Sequence, residues 1–172
     1  MNKSKFIAIV GILFVLGIAI FYKFVKQSEP QTEVHYHAGF VVFDNGKKVD
    51  FSDLKYMNIE PCTLHKEDEE ETPEHNQLEK AHLHDMIPDV VHSHRENAKW
   101  GDLFTNIKYS IVYSKVTAFI NGNEVLDIQS TPIKAYDSVV IFINTVDKNL
   151  ITQAITVDHI KEVENKSENC GN

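Results

Sequence analysis

The sequence contains few cysteines and few glycines, and these shortages exclude several kinds of catalytic site. Only Cys62 and Cys170 are present among its 172 residues, and they form no Cys-x-x-Cys motif. Its seven glycines build no glycine-rich loop of the kind that holds phosphate groups. Neither a helical His-Glu-x-x-His motif nor a nucleophile elbow occurs. The sequence therefore lacks the familiar signatures of nucleotide-binding proteins and hydrolases.

Basic residues are also scarce relative to acidic ones. The chain has 17 Lys and Arg against 25 Asp and Glu, and four of the lysines precede residue 27. The rest of the chain thus has 13 basic and 25 acidic residues, a net charge of −12 with neutral histidines. Such a surface repels the phosphates of nucleic acids and of anionic lipids, so nucleic-acid binding is not expected. It attracts cations, which is consistent with metal binding.

One long apolar run, FIAIVGILFVLGIAIFY, occupies residues 6–22. With lysines on both sides, it is close to the ~20 residues that a bilayer-spanning helix needs. A cleaved signal peptide is the alternative, but the run ends in bulky residues without a small-residue cleavage site. We therefore predict an uncleaved anchor over residues 1–26, inserted in the membrane through residues 6–25. The flanking charges favour a cytoplasmic N-terminus and a domain outside the cytoplasm.

The rest of the chain is predicted to form one α+β domain with short attachments. Residues 27–33 are a polar linker in this interpretation, and residues 34–148 carry the apolar patterns of the domain itself. Within the domain, residues 66–80 are highly charged and lack periodicity, which predicts a mobile acidic loop. Residues 149–172 are predicted to be a short helical tail, with Thr156 capping its second part.

The order of the local patterns predicts a β-grasp-like fold, a mixed sheet packed on one main helix with a His-rich insert. Asn-Gly pairs at residues 45–46 and 121–122 supply the positive φ angles of two tight hairpins. Residues 97–107 have apolar side chains at helical spacing, with Asn97 as the N-cap. Residues 139–143 are almost continuously apolar, which is typical of a central strand covered on both faces.

Histidine carries the clearest functional signal, because six of the nine histidines come in His-x-His pairs. The pairs are His35 with His37, His82 with His84, and His92 with His94. Side chains at i and i+2 of a strand point to the same face, so each pair can offer two imidazoles to one ion. The last two pairs flank a predicted bend at residues 87–89. Neutral imidazole suits zinc and copper, so the pattern predicts a transition-metal site, with Zn or Cu as the metal.

Other residues are possible additions to this site. Asp85 follows one pair directly and could be a metal ligand or an acceptor that orients an imidazole. Cys62 and His65 have a spacing that allows both to bind one ion. The alternative for Cys62 is a disulfide with Cys170, as expected for two cysteines outside the cytoplasm.

A binding function is favoured over catalysis, although an enzyme remains the alternative. Three imidazoles with an open position could activate water, and Asp85 and Glu96 are close in sequence. Alternation, however, points Ser93 away from His92 and His94, which argues against a catalytic triad. A pH sensor based on clustered histidines, and a surface interaction domain with solvated histidines, are further alternatives.

Residues 115–145 resemble the second half of the small sulfur-carrier proteins of thiamine and molybdopterin synthesis. The shared features are an Asn-Gly hairpin and a turn with an acidic residue before the last strand. The resemblance implies a β-grasp fold only. The carriers end in a reactive Gly-Gly tail, whereas this chain ends in Cys170-Gly171-Asn172.

Residues 35–145 as a whole resemble a family of small single-span proteins of uncultured bacteria and archaea that are rich in His-x-His. The matching pieces are His35-Tyr36-His37-Ala38-Gly39-Phe40, His82-Leu83-His84, Val91-His92-Ser93-His94, Gly101-Asp102-Leu103-Phe104 and Asn121-Gly122. Some members have a disulfide-isomerase-like name, which implies thiol–disulfide chemistry as an alternative function. This sequence lacks the vicinal thiol pair on which that chemistry depends.

Overall fold

The computed structural model describes residues 33–58 and 72–167 and contains one mixed sheet of six strands. The strands are β1 (Glu33–Asp44), β2 (Lys47–Lys48), β3 (Val90–Arg95), β4 (Val116–Ile120), β5 (Asn123–Val125) and β6 (Ser138–Ile143). Five of them lie in the order β2-β1-β6-β4-β5, and β3 pairs with β1. The β1–β6 pair is parallel and the other pairs are antiparallel. The predicted α+β class with a mixed sheet is therefore confirmed.

Strand β1 is the structural centre of the sheet, because it pairs with three other strands. Its first half pairs with β3 and its second half with β6, and Gly39 is a register partner in both pairings. The two predicted hairpins are formed by β1 with β2 and by β4 with β5. Their turn residues Asn45 and Asn121 have φ of 48° and 50°, as an Asn-Gly turn requires.

Three α-helices accompany the sheet within the described residues, namely α1 (Pro73–Leu78), α2 (Trp100–Asn106) and α3 (Val157–Ser167). Helix α1 lies inside the segment predicted to be a mobile loop, and the hydroxyl of Thr72 caps it by accepting from the His75 N–H. Thr156 caps α3 as predicted, since its hydroxyl accepts from the His159 N–H at 3.2 Å. A further 3-10 segment, Lys148–Gln153, precedes α3.

Helix α2 begins three residues later than predicted. Asn97 is wrong as the N-cap, because its φ of 61° places it in a turn outside the helix. Lys99 occupies the N-cap position, and its backbone N–H donates to the Asp102 carboxylate at 2.9 Å. The apolar stripe that predicted the helix is fully buried; it consists of Trp100, Leu103, Phe104 and Ile107.

The two faces of the sheet bury different apolar clusters, because successive side chains of β1 point to opposite faces. Ala38, Phe40 and Val42 belong to the larger cluster, together with the stripe of α2. Val41 and Phe43 belong to a second cluster on the opposite face, which the segment Lys148–Gln153 covers. Strand β6 is buried along its whole length, as expected of a central strand.

Helix α3 and the residues before it cover the first half of β1. Ile160 and Val163 of α3 pack with Val90 at the start of β3. Gly39 allows this close approach, because a Cβ at that position would lie 2.5 Å from the Cβ of Ile155. The absence of a side chain at Gly39 therefore determines how near α3 lies to the histidines of β1.

Several predictions fall outside the described residues. These are the membrane anchor at 1–26, almost all of the linker at 27–33, and Cys62, His65 and Cys170. In the part of the chain that the structure does describe, every helix is too short or too polar to cross a bilayer.

The close approach at Gly39 generates a stability prediction. Gly39→Ala should lower the free energy of unfolding by about 1–3 kcal/mol, because the added methyl group forces Ile155 and α3 outward. Chemical denaturation of the full-length chain measures this change. Leu126→Ala, at a fully exposed position, is the control and should change stability by less than about 0.5 kcal/mol. Equal stability of Gly39→Ala and the parent chain would show that Ile155 does not pack closely against the backbone at Gly39.

Candidate metal centre

Backbone register places three histidines in a row across neighbouring segments. His37 of β1 is the register partner of His92 of β3. On the other edge of β3, His92 and His82 exchange two backbone hydrogen bonds of 3.0 and 2.9 Å. Residues directly opposite each other in antiparallel pairs share a face of the sheet. The imidazoles of these three residues therefore lie side by side.

The other three histidines lie next to this row, because each is two residues away in sequence from His37, His92 or His82. His35, His84 and His94 follow the i, i+2 rule and so lie on the same face. The His92 ring is at the centre of the group. Its centroid lies 4.3 Å from His84, 4.4 Å from His35 and His37, 4.5 Å from His94 and 5.2 Å from His82.

Two sets of three histidines have a geometry that could hold a metal ion. The first set is His35, His37 and His92, and the second is His82, His84 and His92. Within each set, one nitrogen from each ring lies within 4.8 Å of the others. We call these sets the first trio and the second trio. Five of the six predicted ligands thus meet in trios that share His92, whereas His94 stacks on His92 outside both.

The second trio is more deeply buried than the first. His82, His84 and His92 are each less than 9% exposed, whereas the first trio combines buried His37 with exposed His35. Buried polar groups are costly unless they find partners, so the four buried imidazoles of the cluster need a physical explanation.

Oxygen atoms near the ring Nδ1 orient the buried imidazoles of the second trio. The Nδ1 of His82 lies 2.9 Å from the Leu78 carbonyl oxygen, and that of His84 lies 2.7 Å from the Asp85 carboxylate. We assign the proton of each neutral ring to Nδ1, since only a donor nitrogen is stabilised there. The Nε2 of each ring then carries the lone pair that could bind an ion, as in metal sites whose histidines donate to an outer acceptor. In the structure, the Nε2 of His84 accepts from the Nδ1–H of His92.

Two carboxylates from segments distant in sequence lie near the other pairs, at longer distances than these oxygens. The Nδ1 of His37 lies 3.8 Å from Glu164 of α3, whose other oxygen accepts from the Tyr136 hydroxyl at 2.8 Å. The Nδ1 of His94 lies 4.0 Å from Glu79, just after α1. Sequence reasoning missed Glu79 and Glu164, because nothing in their spacing relates them to the histidines.

His92 differs from the other buried histidines in having no oxygen partner in the described part of the chain. Its Nδ1 faces the Nε2 of His84. Its Nε2 is buried and has no hydrogen-bond partner among residues 33–58 and 72–167. Both ring nitrogens of His92 therefore lie inside the cluster.

Burial keeps the central imidazoles neutral, which is the form that binds metals. Desolvation, followed by repulsion from His35, lowers the pKa of His37 to about 4, although Glu164 acts in the opposite direction. Desolvation also lowers the pKa of His82 to about 4, against the Leu78 carbonyl and Glu79, which raise it. The pKa of His92 is lowered further still, by burial and then by the neighbouring imidazoles.

The loop between the last two pairs differs in detail from the prediction. Residues 82–84 form no strand, although His82 pairs with His92, and the turn lies at Asp85 and Met86, with φ of 56° and 60°. The chain bends again at residues 88–89, inside the predicted bend at 87–89, so the turn at Asp85 and Met86 precedes the predicted bend. Ser93 donates to the Arg95 carbonyl on the face away from the cluster, as alternation predicted.

Comparison of the chain with known proteins gives no match. A scan against models of protein families finds no matching family. Searches of curated proteins and of solved structures find no significant match either. The function must therefore be argued from the geometry of this chain.

The lowered histidine pKa values predict a pH-dependent stability of the metal-free fold. The unfolded chain protonates His37 and His82 near the ordinary pKa of 6.5, whereas the folded chain does so only near 4. Stability should therefore be complete above pH 6.5 and decline as the pH falls towards 4, because the unfolded state binds more protons. Chemical denaturation of the full-length chain at several pH values measures the decline.

A matched pair of variants makes this measurement specific. His82→Asn should show a shallower decline, since one buried titrating group is removed. His159→Asn should keep the decline of the parent chain, because the half-exposed His159 lies apart from the cluster beside Asp89. A free energy of unfolding that stays constant between pH 6.5 and 4 would contradict the prediction.

Proposed function

We propose that this protein is a membrane-anchored, extracytoplasmic domain that binds a transition metal, Zn or Cu, through its paired strand histidines. The observation that carries the proposal is the convergence of histidine nitrogens within 4.8 Å in two trios. The role of such a domain is the capture, sensing or delivery of the metal outside the cytoplasm.

Three properties of the cluster support metal binding over a solvated histidine surface. Most of its rings are buried, and burial keeps them in the neutral form that ligates metals. Oxygens beside Nδ1 of His82 and His84 place the lone pair of each ring on Nε2, the atom that would bind an ion. The acidic surface of the domain raises the local concentration of cations.

The chemistry of the trios favours Zn or Cu over magnesium and calcium. Imidazole nitrogen is a borderline ligand that suits zinc, copper, nickel and iron, whereas magnesium and calcium require oxygen ligands. The carboxylates of Asp85, Glu79 and Glu164 lie beside the histidines and outside both trios, so they serve as outer acceptors in this proposal.

The same proposal includes a β-grasp-like fold for the domain. It is supported by the strand order β2-β1-β6-β4-β5, in which the first strand lies parallel to the last. Helix α2 lies between the two hairpins in sequence and packs on one face of the sheet. Strand β3 is the His-rich addition, which extends the sheet beyond the first half of β1.

Metal analysis of the full-length chain tests the proposed binding. After incubation with Zn²⁺ and dialysis, the parent chain should retain zinc, as measured by elemental analysis. The double variant His82→Asn/His84→Asn should retain less, because two ligands of the second trio are lost. His159→Asn is the matched control and should bind as the parent chain does. Zinc retention equal in all three proteins, or absent from all, would refute the proposal.

Asp85→Asn provides a graded variant for the same measurement. The amide keeps the shape of the carboxylate but loses its charge, so the Nδ1–H of His84 is held less firmly. We expect zinc affinity to fall roughly 10–100-fold, the usual effect of losing an outer acceptor. Unchanged affinity would show that Asp85 does not orient His84.

The membrane anchor has its own test. The full-length chain expressed in a bacterium should remain in the membrane fraction after alkaline carbonate extraction, because residues 6–25 are inserted in the bilayer. Protease added to spheroplasts should digest the domain if it lies outside the cytoplasm. Recovery of the chain in the soluble fraction would refute the anchor, and protection from protease would refute the orientation.

A further inference from the structure

We propose that the cluster is a two-ion centre in which the ring of His92 bridges two metal ions as an imidazolate. This inference rests on the proposed metal binding and extends it to a second ion. Its starting point is that His92 belongs to both trios. The other four histidines belong to one trio each: His35 and His37 to the first, and His82 and His84 to the second.

The first argument for a bridging ring concerns the number of lone pairs on an imidazole. A neutral imidazole has one nitrogen with a lone pair and one that bears a proton, so it can bind one ion only. The two trios, however, each require a nitrogen of His92. Deprotonation of the ring gives a lone pair on both nitrogens, and each can then bind one ion.

The second argument concerns which histidine rings have an acceptor for their N–H proton. Oxygens lie 2.9 and 2.7 Å from the Nδ1 of His82 and His84, where they stabilise a ring proton. His92 has no oxygen partner among the described residues: its Nδ1–H donates to the Nε2 of His84, and its Nε2 is buried without a hydrogen-bond partner. An ion bound at the Nε2 of His84 would take this acceptor away and leave a buried N–H without one, which costs free energy, so His92 is the ring whose proton a second ion replaces.

The third argument concerns the balance between the charge of the ions and the charge of the groups around them. Two divalent ions bring four positive charges into a largely buried site. The imidazolate and the carboxylates of Asp85, Glu164 and Glu79, each beside a different histidine, supply four negative charges. One ion alone would leave an excess of negative charge among these groups, whereas two ions neutralise it.

Binding of the second ion is a replacement of a proton by a metal. The N–H bond of neutral His92 breaks heterolytically, its electron pair forms the new nitrogen–metal bond, and the proton passes to water. No atom is oxidised or reduced. One proton should therefore appear in solution for each second ion bound.

Zinc stoichiometry of the full-length chain is the first test. We expect two Zn²⁺ per parent chain. The variants His35→Asn/His37→Asn and His82→Asn/His84→Asn should each retain one, His92→Asn should retain neither tightly, and the control His159→Asn should retain two. One ion per parent chain would overturn the bridge while leaving the proposed function intact, whereas no bound ion would overturn both. Two ions retained by His92→Asn would also overturn the bridge.

Two measurements on the parent chain cover the possibility that His92→Asn does not fold. Stepwise addition of Zn²⁺ at about pH 8, where the histidines are already neutral, should release one proton with the second ion, seen with a pH indicator dye. With Cu²⁺ as the probe, two bridged ions couple magnetically, so the electron paramagnetic resonance intensity should fall well below the copper content. No proton release, or full signal intensity at two Cu²⁺ per chain, would overturn the bridge.

Discussion

The antiparallel register of three neighbouring segments is the constraint on which the site depends. His37 lies opposite His92, and His92 lies opposite His82 through two backbone hydrogen bonds. The side chains of a strand alternate between its faces, so a shift of one residue in either pairing would move a histidine to the other face. The contacts of the His92 ring with His37 and His82 follow from this register. Backbone pairing therefore holds these three rings together, whereas His84 lies outside the strands, just before the turn at Asp85.

Strand β1 connects that register to the hydrophobic core. Its second half contributes Val41 and Phe43 to an apolar cluster and pairs with the fully buried strand β6. Its first half carries His35 and His37 on the same face as that cluster. Helix α3 covers this half closely because Gly39 has no side chain, and α3 brings Glu164 to His37. The core thus fixes the histidines on a rigid element and supplies their outer acceptors.

Much of the fold could be predicted because its signals are local. The Asn-Gly pairs at 45–46 and 121–122 turn the chain by their own φ preferences, and the stripe from Trp100 to Ile107 marks a helix by its spacing. The common face of each His-x-His pair follows from strand geometry alone. Local signals failed at Asn97 and at Asp85-Met86, where residues other than glycine adopt positive φ angles.

The sequence by itself therefore determined the elements, the pairing of histidines on strand faces and the chemistry of their ligands. Only the tertiary structure decided that His92 lies at the centre, that His94 stands outside both trios, and that Glu164 and Glu79 lie near His37 and His94. The physical reason is the range of the interactions. Turns and alternation depend on adjacent residues, whereas strand pairing and helix docking depend on the burial of surfaces from segments far apart in the chain.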